Sequence, residues 1–215
     1  MDEVAPYLEE DELSTSTSCI AQYRIGYMRM KQAGMFSTGT PVVDPQNRFL
    51  FRHEMDYFTT ALVEYPRMRR DPNSKRSFVF GIRFKLVEFQ GDGGQFGLIS
   101  LENFTTMSQI KGLFALYECT RPVCLTSLGS FLQGGFQQVG LFPPGQGINE
   151  GDMVELELDI AKQQLTMRVC SSNPPPIVLV RNITLEDNTI YCWAVSTLTR
   201  GSKVVVDQTW ARVAE

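Results

Sequence analysis

Between Met153 and Val169 the chain alternates twice, and this stretch constrains the fold more than any other. Val154, Leu156, Leu158 and Ile160 fall on one side of an extended chain, and Glu155, Glu157 and Asp159 on the other. After Ala161-Lys162-Gln163-Gln164, the residues Leu165, Met167 and Val169 resume the same two-residue period. Side chains point to opposite faces at every second residue only in a strand, so the segment predicts a hairpin with one buried face. Residues 77–88 repeat the pattern. Phe78, Phe80, Ile82, Phe84 and Leu86 share one face, and Val79, Gly81, Arg83, Lys85 and Val87 share the other.

Shorter strands are expected at 48–52, 57–64 and 177–180, with weaker ones at 110–118 and 137–142. The glycine-rich residues 90–95 predict a turn that returns the chain into 96–101 as the partner of 77–88. In the same way 190–198 and 203–206 are expected to pair around Arg200-Gly201. Pro122, Gly129, Gly134 and Gly135 mark 119–135 as loop, and Pro143, Pro144, Gly145 and Gly147 mark the next break. Residues 20–30 fit strand or helix equally, and no convincing helix of a dozen residues appears. Many short strands separated by turns predict an all-β chain, an antiparallel two-sheet sandwich of the jelly-roll kind. The expected organisation is an acidic, Ser/Thr-rich tail at 1–18, an extension with short strands at 19–75, and the sandwich at 76–210.

Composition narrows the function classes. The chain has 215 residues, 43% of them hydrophobic and 20% charged, a balance that builds a core without disulfide staples. A net charge of −4 offers no general attraction to nucleic acid or anionic lipid. Arg67, Arg69, Arg70, Lys75 and Arg76 are interrupted by Asp71, Pro72, Asn73 and Ser74 and read as a solvated loop. Five scattered cysteines (Cys19, Cys119, Cys124, Cys170 and Cys192) and the single His53 fit neither a disulfide framework nor a zinc site. Cys119 and Cys124 are expected as buried thiols. Residues 1–11 carry no apolar leader core, so a cytoplasmic protein is expected, and the sequons at Asn103 and Asn182 are read as unused. No cofactor, metal, membrane or nucleic-acid partner is expected.

The segment Gly151-Asp152, with its strand ending in Leu158-Asp159, the polar turn and the strand Leu165 to Val169, resembles the most recognisable hairpin of SPRY (B30.2-like) domains. Tyr191, Ala194-Val195-Ser196 and the exit Gly201 to Val206 look like that family's final strands, and Phe78 to Phe84 with Phe96 to Ile99 occupy the places of its first ones. The resemblance covers about residues 76–208. It implies a concanavalin A-like sandwich that binds another protein or a peptide through loops at one end, with no catalytic residues and no small-molecule substrate.

Contact loops are expected at 90–95, 118–135 and 143–149, with Arg121, Phe131, Phe136 and Phe142 as anchors, since arginine and aromatic side chains dominate binding energy. Two other readings stay open. One is a structural subunit docking through an N-terminal arm. The other is a carbohydrate-binding or glycoside-hydrolase jelly roll, in which Glu155, Glu157 and Asp159 would be the carboxylates to test. The simpler reading of those three is a solvent-facing strand surface. The glycine loop at 91–94 precedes a strand and not a helix, so it is no phosphate cradle. His53 lacks a nucleophile elbow to serve, and Trp193 is expected in the core.

Overall fold

A computed structural model describes residues 30–32, 42–43, 49–52, 58–73, 77–90, 93–110, 115–171 and 175–214. The expected acidic tail, Cys19 and His53 lie outside them. The strands are β1 (Met30–Gln32), β2 (Val42–Val43), β3 (Phe49–Arg52), β4 (Thr59–Arg69), β5 (Phe78–Glu88), β6 (Gln95–Ser100), β7 (Val123–Thr126), β8 (Phe131–Gln133), β9 (Phe136–Gln138), β10 (Met153–Asp159), β11 (Gln164–Cys170), β12 (Ile177–Asn182), β13 (Ile190–Thr197) and β14 (Lys203–Val213). Helix α1 (Leu101–Ile110) and one 3-10 turn (Leu116–Glu118) lie between β6 and β7. The strands form two antiparallel sheets. The first runs β1-β4-β13-β6-β7-β8-β9 and the second β12-β11-β10-β5-β14-β3-β2.

The two alternating segments organise the second sheet. β10 pairs with β11 from Met153↔Cys170 to Asp159↔Gln164, and with β5 from Met153↔Lys85 to Asp159↔Val79. Register puts the apolar sets side by side: Val154, Leu156 and Leu158 beside Phe84, Ile82 and Phe80, and beside Val169, Met167 and Leu165. All are buried. A one-residue slip would turn every one of them to water. Against this layer the first sheet sets Ala61, Val63, Phe96, Leu98, Leu125, Phe131, Trp193 and Val195. The two inner faces make the main core.

The sandwich is as expected, but two of the expected pairings are not. β6 does not return beside β5. It crosses to the first sheet and lies between β13 and β7. Every residue of β6 is buried, which a strand attains only in mid-sheet with both faces covered. Gly97 is part of the reason. A Cβ there would lie 2.0 Å from the Val123 carbonyl oxygen and 2.7 Å from the Cys124 Cα, so only glycine lets β6 and β7 approach this closely. Likewise β13 and β14 belong to opposite sheets. Of the weak strand expected at 110–118, Ile110 ends α1 and Leu116–Glu118 form the 3-10 turn, while 111–114 lie outside the described residues. The stretch 119–135, expected as loop, contains β7 and β8. Of 137–142 only the start is strand.

Those two helical pieces explain how β6 is covered twice. Leu101, Phe104, Met107 and Leu116 lie over Leu62, Ile99, Cys119, Cys124, Cys192 and Ala194, a second apolar cluster on the outer face of the first sheet. Cys119, Cys124 and Cys192 are buried thiols. Burial, with a smaller contribution from neighbouring Cys119, pushes the Cys124 thiol up to about 12.

Two outcomes follow from this packing. Leu158→Ala should lower the unfolding free energy by about 2–5 kcal/mol in a urea titration, because it empties a fully packed site. Cys124 should escape alkylation in the native protein at mildly alkaline pH and react fully once unfolded, as read by peptide mass spectrometry. Native-state labelling of Cys124 at the rate of a free thiol would contradict the packing of the second cluster.

Candidate functional site

The loops expected to make contact divide between the two ends of the sandwich. At the end where β5 finishes and β6 begins, Ser127 N–H donates to the Gly94 carbonyl at 2.7 Å, and Gly94 N–H donates to Ser127 Oγ at 3.1 Å. Ile148 N–H donates to the Ser127 carbonyl at 2.9 Å, and Leu141 N–H to that of Gly129 at 2.9 Å. Residues 93–94, 127–130 and 141–148 therefore make one hydrogen-bonded rim. The turn joining β8 to β9 sits at the other end, where Gly134 N–H donates to the Pro122 carbonyl at 3.1 Å. Segment 118–135 thus serves both ends.

Two of the four expected anchors are not on the surface. Phe131 is 2% exposed, an inward residue of β8 within the main core. Phe142 is 7% exposed and covers Gly129, where a Cβ would come within 2.7 Å of its ring. Gly129 also has φ +76°, a backbone state that suits glycine and frees the space the ring occupies. Both aromatics are turned inward by burial, which stabilises each by about 2–3 kcal/mol relative to exposure. Phe136 is different. It opens β9 at 62% exposure. Arg121 is exposed, has φ +53° and forms an ion pair with Glu186. Its side chain reaches the Gly134 turn that leads into Phe136, so these two share one end.

Two exposed residues escaped the sequence reading. Leu128 in the β7–β8 turn is 66% exposed, and Val139 just beyond β9 is 67% exposed. The β8–β9 register, with Phe131 opposite Gln138, sets Val139 beside that turn. Leu128, Val139 and Phe136 are therefore exposed apolar residues spread along the β7–β9 edge of the first sheet, and Pro143 and Pro144 are exposed just beyond them in the chain. The available signal was an apolar residue at a turn position that usually carries a polar one.

The carboxylates of β10 face outward, as the alternation requires, and each is engaged. Glu155 Oε2 accepts from Arg83 Nη2 at 2.7 Å, and Oε1 accepts from Arg168 Nη1 at 2.6 Å. Glu157 Oε2 accepts from Trp210 Nε1 at 3.3 Å, and Oε1 from Arg212 Nη2 at 3.0 Å. Asp159 Oδ1 accepts from the Lys162 N–H at 2.9 Å, while Lys162 Nζ stands 3.2 Å from Oδ2. Burial pushes the Glu155 carboxyl up, but the hydrogen bonds and charges of Arg83 and Arg168 outweigh it and hold the group below its ordinary value.

No helix among the described residues is long and apolar enough to cross a membrane, and no cluster of three or more potential metal ligands occurs among them.

The depressed Glu155 carboxyl has a signed consequence. Its stabilising contribution is present above the ordinary carboxylate pKa and is lost as pH falls through the lowered folded-state value. Urea midpoints measured from about pH 7 down to about pH 3 should fall less steeply for Glu155→Gln than for the parent chain. Parallel acid limbs would remove Glu155 from the acid response.

No family model matches this sequence, and no curated protein matches it. Solved structures do. The TRIM65 PSpry domain superposes with a TM-score of 0.50 at 9% identity, covering 83% of this chain and 90% of that one. Lectin UEA-II complexed with galactose gives 0.52 at 9% identity, covering 87% and 99%. The Lotus tetragonolobus seed lectin gives 0.50 at 12% identity, covering 88% and 95%. At such identities the likeness concerns architecture. The chain has a SPRY-like, concanavalin A-like sandwich fold.

Proposed function

We propose that this domain is a non-enzymatic protein-interaction module, taking a peptide or a protein surface at the edge that carries the exposed apolar residues Phe136, Val139 and Leu128. The observation that carries the reading is their exposure on one turn-and-edge unit. Large apolar side chains grouped at the surface mark interaction sites more often than singly scattered ones do. Arg121, beside the Gly134 turn, adds a cation at the Phe136 end of this edge. A β-sandwich holds such loops rigidly without committing core residues to them.

Catalysis by the β10 carboxylates fits the geometry poorly. A general acid needs a carboxyl held above its ordinary pKa, whereas Glu155 is held below. Glu157 and Asp159 are each bonded to a cation.

Affinity capture from the protein's own cells tests the reading. Leu128→Asp with Val139→Asp should weaken capture of the wild-type partner by about 30-fold, the equivalent of a 2 kcal/mol anchor. Arg121→Ala with Phe136→Ala should weaken it in the same direction, and melting temperature should stay nearly constant in both. Full capture by both variants would defeat the proposal. Loss of capture only on deletion of residues 1–47 would favour a subunit docking through its N-terminal arm.

A further inference from the structure

Strand β12 ends the second sheet. It pairs with β11 on one side and, among the described residues, with no strand on the other. Just past its end, Ile183 N–H donates to the Gln163 carbonyl at 2.7 Å. Main-chain groups along an antiparallel strand alternate in direction. Ile177, Leu179 and Arg181 therefore turn theirs to β11, and Val178, Val180 and Asn182 turn theirs to the open edge. Side chains cover part of that edge. The Arg181 guanidinium donates to the Val180 carbonyl at 2.8 Å. The Gln133 amide of β8, with its nitrogen toward β12, donates to the Asn182 carbonyl at 3.1 Å and accepts the Thr184 N–H at 2.8 Å. Caps of this kind guard an edge against stray pairing. They stop at Val180, and the main-chain groups of Val178 and the Val180 N–H lie beyond them.

The uncapped part is also apolar where an exposed edge usually carries charge. Val178 is 52% exposed and Val180 45%, both on the outer face, while Ile177 and Leu179 pack inward against the main core. Arg181 brings a different demand. Among the described residues its only acceptor is the Val180 carbonyl, and its Nε is buried without a partner. These features select an occupant. Outward N–H and C=O groups on alternate residues take an extended chain. The two valines favour β-branched or other apolar residues directly opposite them. The guanidinium favours a carboxylate at the neighbouring position. A second copy of β12 cannot supply that carboxylate, since Ile177–Asn182 contains no acidic residue.

We propose that the β12 edge binds an extended segment of another protein as an added antiparallel strand. In that segment an acidic residue opposes Arg181, and two apolar residues two positions apart follow it to oppose Val180 and Val178. As the segment docks, its own N–H takes the Val180 carbonyl and the guanidinium passes to the carboxylate. The site uses main-chain groups and residues of the second sheet, and it stands independently of the contact proposed at the edge of the first.

Titration of the ¹⁵N-labelled full chain with the end-blocked peptide Glu-Val-Thr-Val-Thr tests it. The Val178 and Val180 amides should shift and saturate at roughly millimolar peptide. N-methylation of the peptide's second valine, whose N–H faces Val178, should weaken binding by about tenfold. N-methylation of its central threonine, whose N–H faces away, should leave binding unchanged. Arg181→Glu should weaken the glutamate peptide by about tenfold and favour the same peptide with lysine in place of glutamate. The inference fails if the two amides do not move, if both N-methyl peptides bind equally, or if Arg181→Glu still prefers the glutamate peptide. It also fails if the peptide-free chain sediments as a dimer with Val178 and Val180 already protected from hydrogen exchange, which would make the edge an interface between copies.

Discussion

Phe84 of β5 and Phe96 of β6 meet across the main core with ring centroids 5.8 Å apart, and Phe89 lies 6.2 Å from the same Phe96 ring. These contacts tie the second sheet to the first at the point where the chain passes between them. Aromatic pairs add about 0.5–1.5 kcal/mol beyond the area they bury, but their larger effect is positional. With Phe96 seated inward, Gly97 faces outward beneath the helical layer, and the close β6–β7 approach follows. From β7 the turn at 127–130 and the edge strands take their places. The exposed edge therefore inherits its geometry from a buried ring contact.

The alternation of β5, β10 and β11 made one half of the sandwich legible, because period two reports which face is buried. It does not report which strand lies alongside. A glycine-rich turn followed by a strand serves a hairpin or a passage between sheets equally well, so local sequence pairs β6 with β5 and β14 with β13 where the fold does not. The better clue was inside β6: Gln95 to Ser100 does not alternate, as befits a strand buried on both faces. Helix α1 was obscured for a different reason. Thr105, Thr106 and Ser108 are indifferent helix formers, and its apolar contacts come from a few residues, Leu101, Phe104 and Met107. Tertiary packing against the first sheet stabilises a helix that propensity alone would leave undecided.

Anchor residues were legible only in part, because residue type does not encode orientation. Phe131 and Phe142 sit among glycines and prolines, a context that reads as surface loop. Yet Phe131 is an inward position of a three-residue strand, and Gly129 leaves room for Phe142 to fold back. Phe136, two residues after another glycine, has no such cover and stays out. The difference lies in contacts far along the chain, which a local reading cannot supply.

The two sheets treat their outer faces in opposite ways. The first hides part of its own under α1 and the 3-10 turn, and leaves single apolar residues exposed at its β9 edge. The second keeps the middle of its outer face largely polar, matching carboxylates on β10 with cations on β5, β11 and β14, while Val178 and Val180 stay exposed on β12. Pairs of this exposure contribute little stability singly, so they are poor candidates for the force that holds the sheet together. That force is the apolar set on the inner face. What the outer pairs do is hold long side chains in fixed positions around Trp210. A polar surface ordered by its own cross-strand bonds keeps its charged side chains solvated and mutually engaged while the inner face packs. The apolar edge of one sheet and the polar face of the other thus meet water differently, and one β-sandwich presents both without either disturbing the core.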